Sequence, residues 1–132
     1  MALESKILIV DDDKFLLDMY ALKFTESGFV VETAMSGAEA LTRLEGGFTP
    51  AIYLIDIIMP GMDGFKLIET LKERGKVNAS TVIILSNLGN KEDIEKGLGL
   101  GVDGYIVKAS ATPSELVTKV GEIAKQRKPK NE

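Results

Sequence analysis

Reactive and charged side chains follow four short apolar runs of the sequence. Asp56 comes directly after AIYLI, and three consecutive aspartates at 11–13 come after KILIV. Ser86 follows TVIIL, and Lys108 follows GYIV. Short apolar runs are typical of strands buried on both faces of a parallel sheet, whose ligand sites lie beyond the carboxyl ends of the strands. The sequence therefore predicts that these side chains meet at one edge of one sheet.

The chemistry open to this set is phosphoryl transfer to a carboxylate. Carboxylates that are crowded together disfavour each other's ionised forms, and a bound cation removes that conflict. Oxygen ligands that leave an open face suit Mg²⁺, which keeps waters and shares its shell with phosphate oxygens. A carboxylate beside the metal can then attack phosphorus and form an acyl phosphate. Lys108 and Ser86 can supply the positive charge and the hydroxyl donor that the transferring group requires.

Each of these residues has a plainer interpretation when it is taken alone. An aspartate at a strand end more often caps the strand or the next turn, and an acidic run such as 11–13 more often caps a helix. Ser86 alone is a loop hydroxyl, and Lys108 alone is a solvated amine. The prediction depends on their coincidence at one sheet edge, and Asp13 is interpreted only as a cap.

The composition narrows the classes of protein and of site. The 132 residues include no Cys and no His, which excludes disulfides, thiol chemistry and histidine ligands or bases. The formal net charge of -4 argues against a general nucleic-acid binder. The longest apolar run, which Asp56 interrupts, is far shorter than the roughly 20 residues of a membrane span. We therefore expect a cytoplasmic protein without direct contacts to nucleic acid or membrane.

Five strands alternate with five helices in the predicted order of elements, and the strands begin near residues 6, 29, 51, 81 and 104. Strands that are separated by helices require right-handed crossovers and a parallel sheet, which predicts a doubly wound α/β fold. We expect a single domain over residues 1–132, with a core at about 6–125 and a basic C-terminal tail at 126–132.

Helical spacing predicts the first three helices. The second spans 37–45 and the third follows the loop MPGMDG. The first spans 14–27 and ends at Gly28, with these apolar residues at helical spacing: Phe15, Leu16, Met19, Leu22 and Phe24. The third is expected to turn four apolar side chains inward: Phe65, Leu67, Ile68 and Leu71.

End signals predict the last two helices. Asn90 caps the fourth helix, which the glycines at 97, 99 and 101 weaken by about 1 kcal/mol each where they are helical. Thr112 and Glu115 form a capping box at the start of the fifth, with Pro113 at its first position. The fourth helix is therefore expected to be the least stable.

The motifs ILIVDDD, LIDIIMPGMDG, VIILS and DGYIVK, in this order and spacing, resemble the receiver domains of bacterial two-component response regulators, of the chemotaxis-regulator type. The resemblance covers essentially Lys6 to Lys125. It implies a flavodoxin-like five-stranded parallel sheet with strand order 2-1-3-4-5 and five helices.

The resemblance also implies the roles of the site residues. Asp56 would receive the phosphoryl group, Ser86 and Lys108 would contact the phosphoryl oxygens, and Tyr105 would be the aromatic switch. The implied ligands of Mg²⁺ are Asp11, Asp12, Asp56 and the main-chain carbonyl of Ile58.

The implied partners are a sensor histidine kinase or histidine phosphotransfer protein as the donor, and a downstream protein target or output domain that reads the surface of helix four, strand five and helix five. Dimerisation on phosphorylation belongs to the same expectation. Three residues depart from the usual pattern. Ser86 replaces the commoner Thr but keeps the hydroxyl, and Asn87 replaces a smaller residue beside the site. Ala109 replaces Pro, so the sequence does not decide whether the Lys108–Ala109 peptide bond is cis or trans.

Three other functions are weighed against this expectation. A phosphatase that used Asp56 as its nucleophile would usually carry a second acid at the position of Ile58. A flavin carrier of the same fold would need Gly and hydroxyls in the first loop, which instead presents three carboxylates. A degenerate receiver that binds partners without phosphorylation would not need the complete set of site residues, which is intact here: Asp11, Asp12, Asp56, Ser86 and Lys108. We therefore expect a signalling switch that catalyses only its own phosphorylation and dephosphorylation.

Overall fold

The protein is described by a computed structural model that covers residues 5–127. Five parallel strands form one sheet in the order β2-β1-β3-β4-β5, which confirms the predicted doubly wound α/β fold. The strands are β1 Lys6–Val10, β2 Val30–Ala34, β3 Ile52–Ile55, β4 Thr81–Ser86 and β5 Gly104–Val107. The helices are α1 Lys14–Glu26, α2 Gly37–Glu45, α3 Gly64–Glu73, α4 Lys91–Gly99 and α5 Pro113–Gln126, and a 3₁₀ turn at Lys108–Ser110 follows β5. Most of the predicted basic tail, residues 128–132, lies outside the described residues.

Helices cover both faces of the sheet, so the central strands are buried on both sides. Side chains alternate between the two faces along each strand, as the period of two requires. One face packs against α2 and α3 and includes Leu8, Val10, Tyr53 and Ile55. The other packs against α1 and α5 and includes Ile7, Ile9, Ile52 and Leu54.

The register of the sheet brings the carboxyl ends of four strands to one edge. Val10 of β1 lies opposite Ile55 of β3, which in turn lies opposite Ile84 of β4. Ser86 lies opposite Val107 at the ends of β4 and β5. The residues that leave these strands therefore emerge side by side, as the sequence predicted.

The first predicted helix is confirmed as α1, but not all of its apolar residues at helical spacing are buried. The buried residues of this helix are Leu17, Tyr20 and Phe24, whereas Phe15 is 78% exposed and Leu22 is 60% exposed. Apolar residues occur on both sides of α1, so their spacing does not select one face. Packing against the sheet and α5 makes the selection, and Phe15 and Leu22 lie on the opposite side of the helix.

Most of the predicted helix signals are confirmed. Asp13, Asn90 and Thr112 are the N-caps of α1, α4 and α5, and each accepts a hydrogen bond from a main-chain N–H of the first turn. The capping box of Thr112 with Glu115 is complete. The predicted inward-facing residues of α3 are all buried: Phe65, Leu67, Ile68 and Leu71.

Two backbone features are settled by the structure. Gly101 lies beyond the end of α4 with a φ of 85°, a left-handed conformation that favours glycine, so it ends the fourth helix rather than weakening it. All peptide bonds of the described residues are trans, including Lys108–Ala109.

Candidate functional site

The sheet edge brings together the side chains that the sequence singled out. Asp11 and Asp56 follow the paired ends of β1 and β3 and are 1% and 7% exposed. Ser86, the last residue of β4, is 1% exposed. Lys108 follows β5 and reaches across to both aspartates. The predicted meeting of these four residues is confirmed, while their roles stay predictions.

Lys108 forms ion pairs with two buried carboxylates. Its Nζ lies 2.8 Å from Asp11 Oδ2 and 3.1 Å from Asp56 Oδ2, and it donates a hydrogen bond to the latter. Burial alone would lower the pKa of Lys108, but contact with Asp11 and the charge of Asp56 raise it above its ordinary value. Lys108 is therefore a charged ammonium group at neutral pH.

Asp56 lies in an environment that opposes its ionisation. Burial raises its pKa, and the charge of Asp11 acts in the same direction. Lys108 lowers it, as does the main-chain N–H of Ile57, which donates to Asp56 Oδ1 over 2.8 Å. One lysine does not fully offset two crowded carboxylates, so the site favours an additional cation.

The acidic residues fit a divalent cation with oxygen ligands. Carboxylate oxygens of Asp11, Asp12 and Asp56 lie within 4.8 Å of one another. Asp11 Oδ2 is buried without a hydrogen-bond partner, although it lies beside the Lys108 ammonium, and Asp12 is exposed. A buried acceptor oxygen, two neighbouring carboxylates and a solvent-facing side suit Mg²⁺, which keeps part of its water shell.

A cavity of about 320 Å³ opens onto the site. Its lining includes Asp12, Asp56, Ser86 and Lys108, together with the apolar side chains of Leu16, Ile58 and Leu88. Ile58 is 62% exposed and lies at the rim of the opening, whereas Leu16 and Leu88 are half-buried. The exposed Asn87 also lines this cavity and does not close it. The space is therefore accessible to a donor group from solution or from a partner.

Tyr105 is linked to the site through the main chain of Leu88. The Tyr105 hydroxyl donates to the Leu88 carbonyl over 2.5 Å, and the Leu88 N–H donates to Ser86 Oγ over 3.1 Å. Burial raises the pKa of the Tyr105 phenol, and the neighbouring Ser86 hydroxyl acts in the opposite direction. The predicted switch residue thus lies one hydrogen-bonded residue away from the cavity.

Two residues near the site were not singled out from the sequence. Tyr20 is buried, and burial raises the pKa of its phenol, with the charge of Lys108 acting against this. A Cβ at Gly64 would collide with the carbonyl oxygen of Asp56, so the loop after Asp56 can close onto α3 only with glycine there. The signal for Gly64 is the second glycine of MPGMDG, whereas an aromatic residue such as Tyr20 on a helix gives no comparable signal.

Comparison with known proteins agrees with this geometry. A family model described as the response regulator receiver domain matches residues 7–121. The chain belongs to this family. The phosphate regulon transcriptional regulatory protein PhoB of Rhizobium meliloti (strain 1021) is 32% identical to the receiver domain over 124 residues, which cover 94% of this chain and 54% of the relative.

Solved structures extend the likeness to the fold. The receiver domain of Francisella response regulator 1452 is 34% identical with a TM-score of 0.82, and the match covers 95% of this chain and 100% of that one. A chemotaxis protein of Vibrio cholerae is 25% identical with a TM-score of 0.84, over 92% and 99% of the two chains. The present chain spans about half, or less, of the length of the curated relatives it matches. Within residues 5–127, no helix has the length and apolar character needed to cross a membrane.

Proposed function

We propose that the receiver domain accepts a phosphoryl group onto Asp56 from the phosphohistidine of a sensor histidine kinase or histidine phosphotransfer protein. The observation that carries this proposal is the buried cluster in which Lys108 contacts both Asp11 and Asp56 beside an open cavity. A carboxylate nucleophile, a buried cation and a hydroxyl at one cavity are the groups that transfer to aspartate requires.

The transfer replaces one bond to phosphorus with another. A carboxylate oxygen of Asp56 bonds to phosphorus while the phosphorus–nitrogen bond of the donor breaks, and the departing imidazole nitrogen takes up a proton. Lys108 turns from Asp56 Oδ2 toward the phosphoryl oxygens, and Ser86 donates its hydroxyl to one of them. Because Lys108 and Ser86 already lie at the cavity, only a local movement is needed for them to stabilise the developing charge.

The metal in this proposal is Mg²⁺, held by Asp11, Asp12, Asp56 and the main-chain carbonyl of Ile58. The clustering of carboxylate oxygens from Asp11, Asp12 and Asp56 within 4.8 Å of one another supports this ligand set. When bound, Mg²⁺ offsets the repulsion between the carboxylates and the incoming phosphoryl group.

We infer that phosphorylation signals through the surface of α4, β5 and α5, with Tyr105 as the switch. A downstream protein target or an output domain would bind this surface, and dimerisation on phosphorylation is one form that this binding could take. The domain catalyses only its own phosphorylation and dephosphorylation, and is a switch rather than an enzyme with turnover. A cytoplasmic location fits these partners.

The proposal is tested by incubation with acetyl phosphate, with and without Mg²⁺, followed by intact mass measurement. The wild type should gain the mass of one phosphoryl group only with Mg²⁺, and Asp56→Asn should gain none. Asp12→Asn should lose Mg²⁺ binding and phosphorylation together. Asp13→Asn is the matched control, because Asn replaces Asp well at an N-cap and Asp13 is not in the ligand set. An unmodified mass of folded wild type under saturating donor and Mg²⁺ would refute the proposal and favour a phosphorylation-independent binding module.

A further inference from the structure

Gly97 lies at the most buried point of helix α4, between the half-buried residues Asp93 and Ile94 and the sheet. Gly97 is the buried residue of this helix. A Cβ at Gly97 would lie 2.7 Å from Ile84 Cδ1, and 3.0 Å and 3.2 Å from Tyr105 Cδ2 and Cε2. Non-bonded carbon atoms are most stable at about 3.5–4.0 Å, so these contacts are too short. A side chain at position 97 would therefore require the Ile84 methyl group, the Tyr105 ring or the helix itself to move.

Gly99 shows that glycine is not required throughout α4. A Cβ at Gly99 would have no atom within 4 Å among the non-local atoms around it. Alanine is favoured over glycine at both positions by helix propensity, by about 1 kcal/mol in a helix interior and by less at Gly99, the last residue of α4. Propensity alone therefore predicts that alanine stabilises the helix at both positions, and a destabilising effect at position 97 alone would come from packing on the sheet.

The Tyr105 ring is held at both ends. Its hydroxyl donates to the Leu88 carbonyl, in the loop that precedes α4, and its edge lies beneath Gly97. Leu88 donates through its N–H to Ser86 Oγ, and Ser86 lines the cavity of Asp56. A continuous set of contacts thus runs from the candidate phosphorylation site to the buried side of α4.

We propose that Gly97 is a positioning residue that couples α4 to the Tyr105 ring. With the ring held by its bond to Leu88, a Cβ at position 97 would displace either the ring or α4 from its present position. A change at Ser86 that releases Leu88 moves the ring, and α4 responds through Gly97. This regulation rests on the proposed function for its signal, but the contact between Gly97 and Tyr105 is testable without phosphorylation.

The tyrosine content of the chain provides a direct probe of the ring. The protein has three tyrosines and no tryptophan, so labelling with 3-fluorotyrosine should give three ¹⁹F resonances, which Tyr→Phe variants assign. In the unphosphorylated protein, Gly97→Ala should shift the Tyr105 resonance and leave those of Tyr20 and Tyr53 in place. It should also speed amide exchange in α4 by about tenfold, as overpacking of this kind destabilises a local element. Gly99→Ala should leave the resonance unchanged and slow the exchange.

The double variant Ile84→Val/Gly97→Ala distinguishes the effect of the contact with Ile84 from that of the contact with Tyr105. Valine lacks the Cδ1 atom that lies closest to the added methyl, so this variant also serves if Gly97→Ala alone does not fold. The proposal expects the Tyr105 resonance to remain shifted in the double variant. A return to the wild-type resonance would overturn it, because the displacement would then come from Ile84. Identical resonances and exchange rates in Gly97→Ala and Gly99→Ala would overturn it as well.

Acetyl phosphate and Mg²⁺ then test the link to the site, with intact mass recorded on the same samples. In the wild type and in Gly99→Ala, the gain in mass should be accompanied by changes in both the Tyr105 resonance and α4 exchange. Gly97→Ala should gain the same mass without the paired response. If no sample gains mass, the proposed function fails while the comparison of unphosphorylated variants still decides the role of Gly97. If all gain mass and respond alike, the role of Gly97 fails while the proposed function stands.

Discussion

Replacing Lys108 with Met removes the one buried cation of the site and keeps an unbranched side chain. The Lys108 ammonium lies 2.8 Å from Asp11 Oδ2 and 3.1 Å from Asp56 Oδ2, and none of the three side chains is more than 9% exposed. Removing one partner of a buried ion pair costs about 3–5 kcal/mol, because the other charge remains buried.

Proton uptake by Asp56 sets an upper limit on this cost. Protonation at pH 7 of an aspartate with the ordinary pKa of 3.8 costs about 4 kcal/mol. We therefore expect Lys108→Met to lower the free energy of unfolding by about 3–4 kcal/mol at pH 7. Near pH 4, protonation of Asp56 costs almost no free energy, so Lys108→Met should lower the free energy of unfolding by less than about 1 kcal/mol.

The stability difference at alkaline pH depends on the titration of Lys108 itself. Its pKa is raised in the folded protein, so its stabilising contribution is present below the ordinary value of 10.5 and is lost as the pH rises through the folded value. The difference in stability between the wild type and Lys108→Met should therefore persist from pH 7 to pH 9.

Urea unfolding at pH 4, 7 and 9 measures these differences. Lys14→Met is the control, because Lys14 pairs with Asp18 at the surface, where both side chains are more than half exposed. Adding Mg²⁺ should restore part of the stability of Lys108→Met, since a cation bound only by the folded state stabilises it. The reasoning is refuted if Lys108→Met is as stable as Lys14→Met at pH 7, or if its loss is the same at pH 4 and pH 7.

Three further predictions concern the lifetime of the phosphoryl group, the mobility of α4 and the loop after Asp56. The side chains of Ile58 and Leu88 offer no hydrogen bond to a water molecule in the cavity. Because polar groups position the attacking water, Ile58→Asn and Leu88→Glu should lose phosphate about tenfold faster or more after the donor is removed. Unchanged rates would show that these two side chains do not set the lifetime of the phosphoryl group. Amide exchange should be faster in α4, with one buried residue, than in α1, with three, and equal protection would contradict this. Gly64→Ala should cost about 3 kcal/mol or more in urea unfolding, because its Cβ meets the main chain of Asp56, and a loss no larger than that of Gly99→Ala would argue against the described loop.

The strands and the location of the site could be predicted because the same residues encode both. A parallel strand buried on two faces must be apolar throughout, so a charged residue such as Asp56 marks the point where the strand ends. The parallel arrangement then places Asp11, Ser86 and Lys108 at the same edge without further information. Capping residues such as Asn90 act within one helical turn, so the starts of these helices could also be predicted from the sequence.

Features that depend on packing between distant elements could not be predicted. Phe15 and Leu22 have the spacing of an inner face, but the contacts that bury Leu17 instead come from the sheet and α5. In the sequence, Gly97 indicates only a weakened helix. The tight space between it, Ile84 and Tyr105 becomes apparent only in the structure. A local sequence pattern does not show which residue from a distant part of the chain will pack against a given side chain.

The most direct test of the central claim is to locate the phosphoryl group within the chain. Borohydride reduces an aspartyl phosphate to homoserine, and tandem mass spectrometry of the digested protein identifies the residue that has changed. After treatment with acetyl phosphate and Mg²⁺, the phosphoacceptor role predicts homoserine at position 56 alone, and none when Mg²⁺ is omitted. Homoserine at position 11, 12 or 13, or an intact Asp56 in protein that has gained the phosphoryl mass, would contradict it.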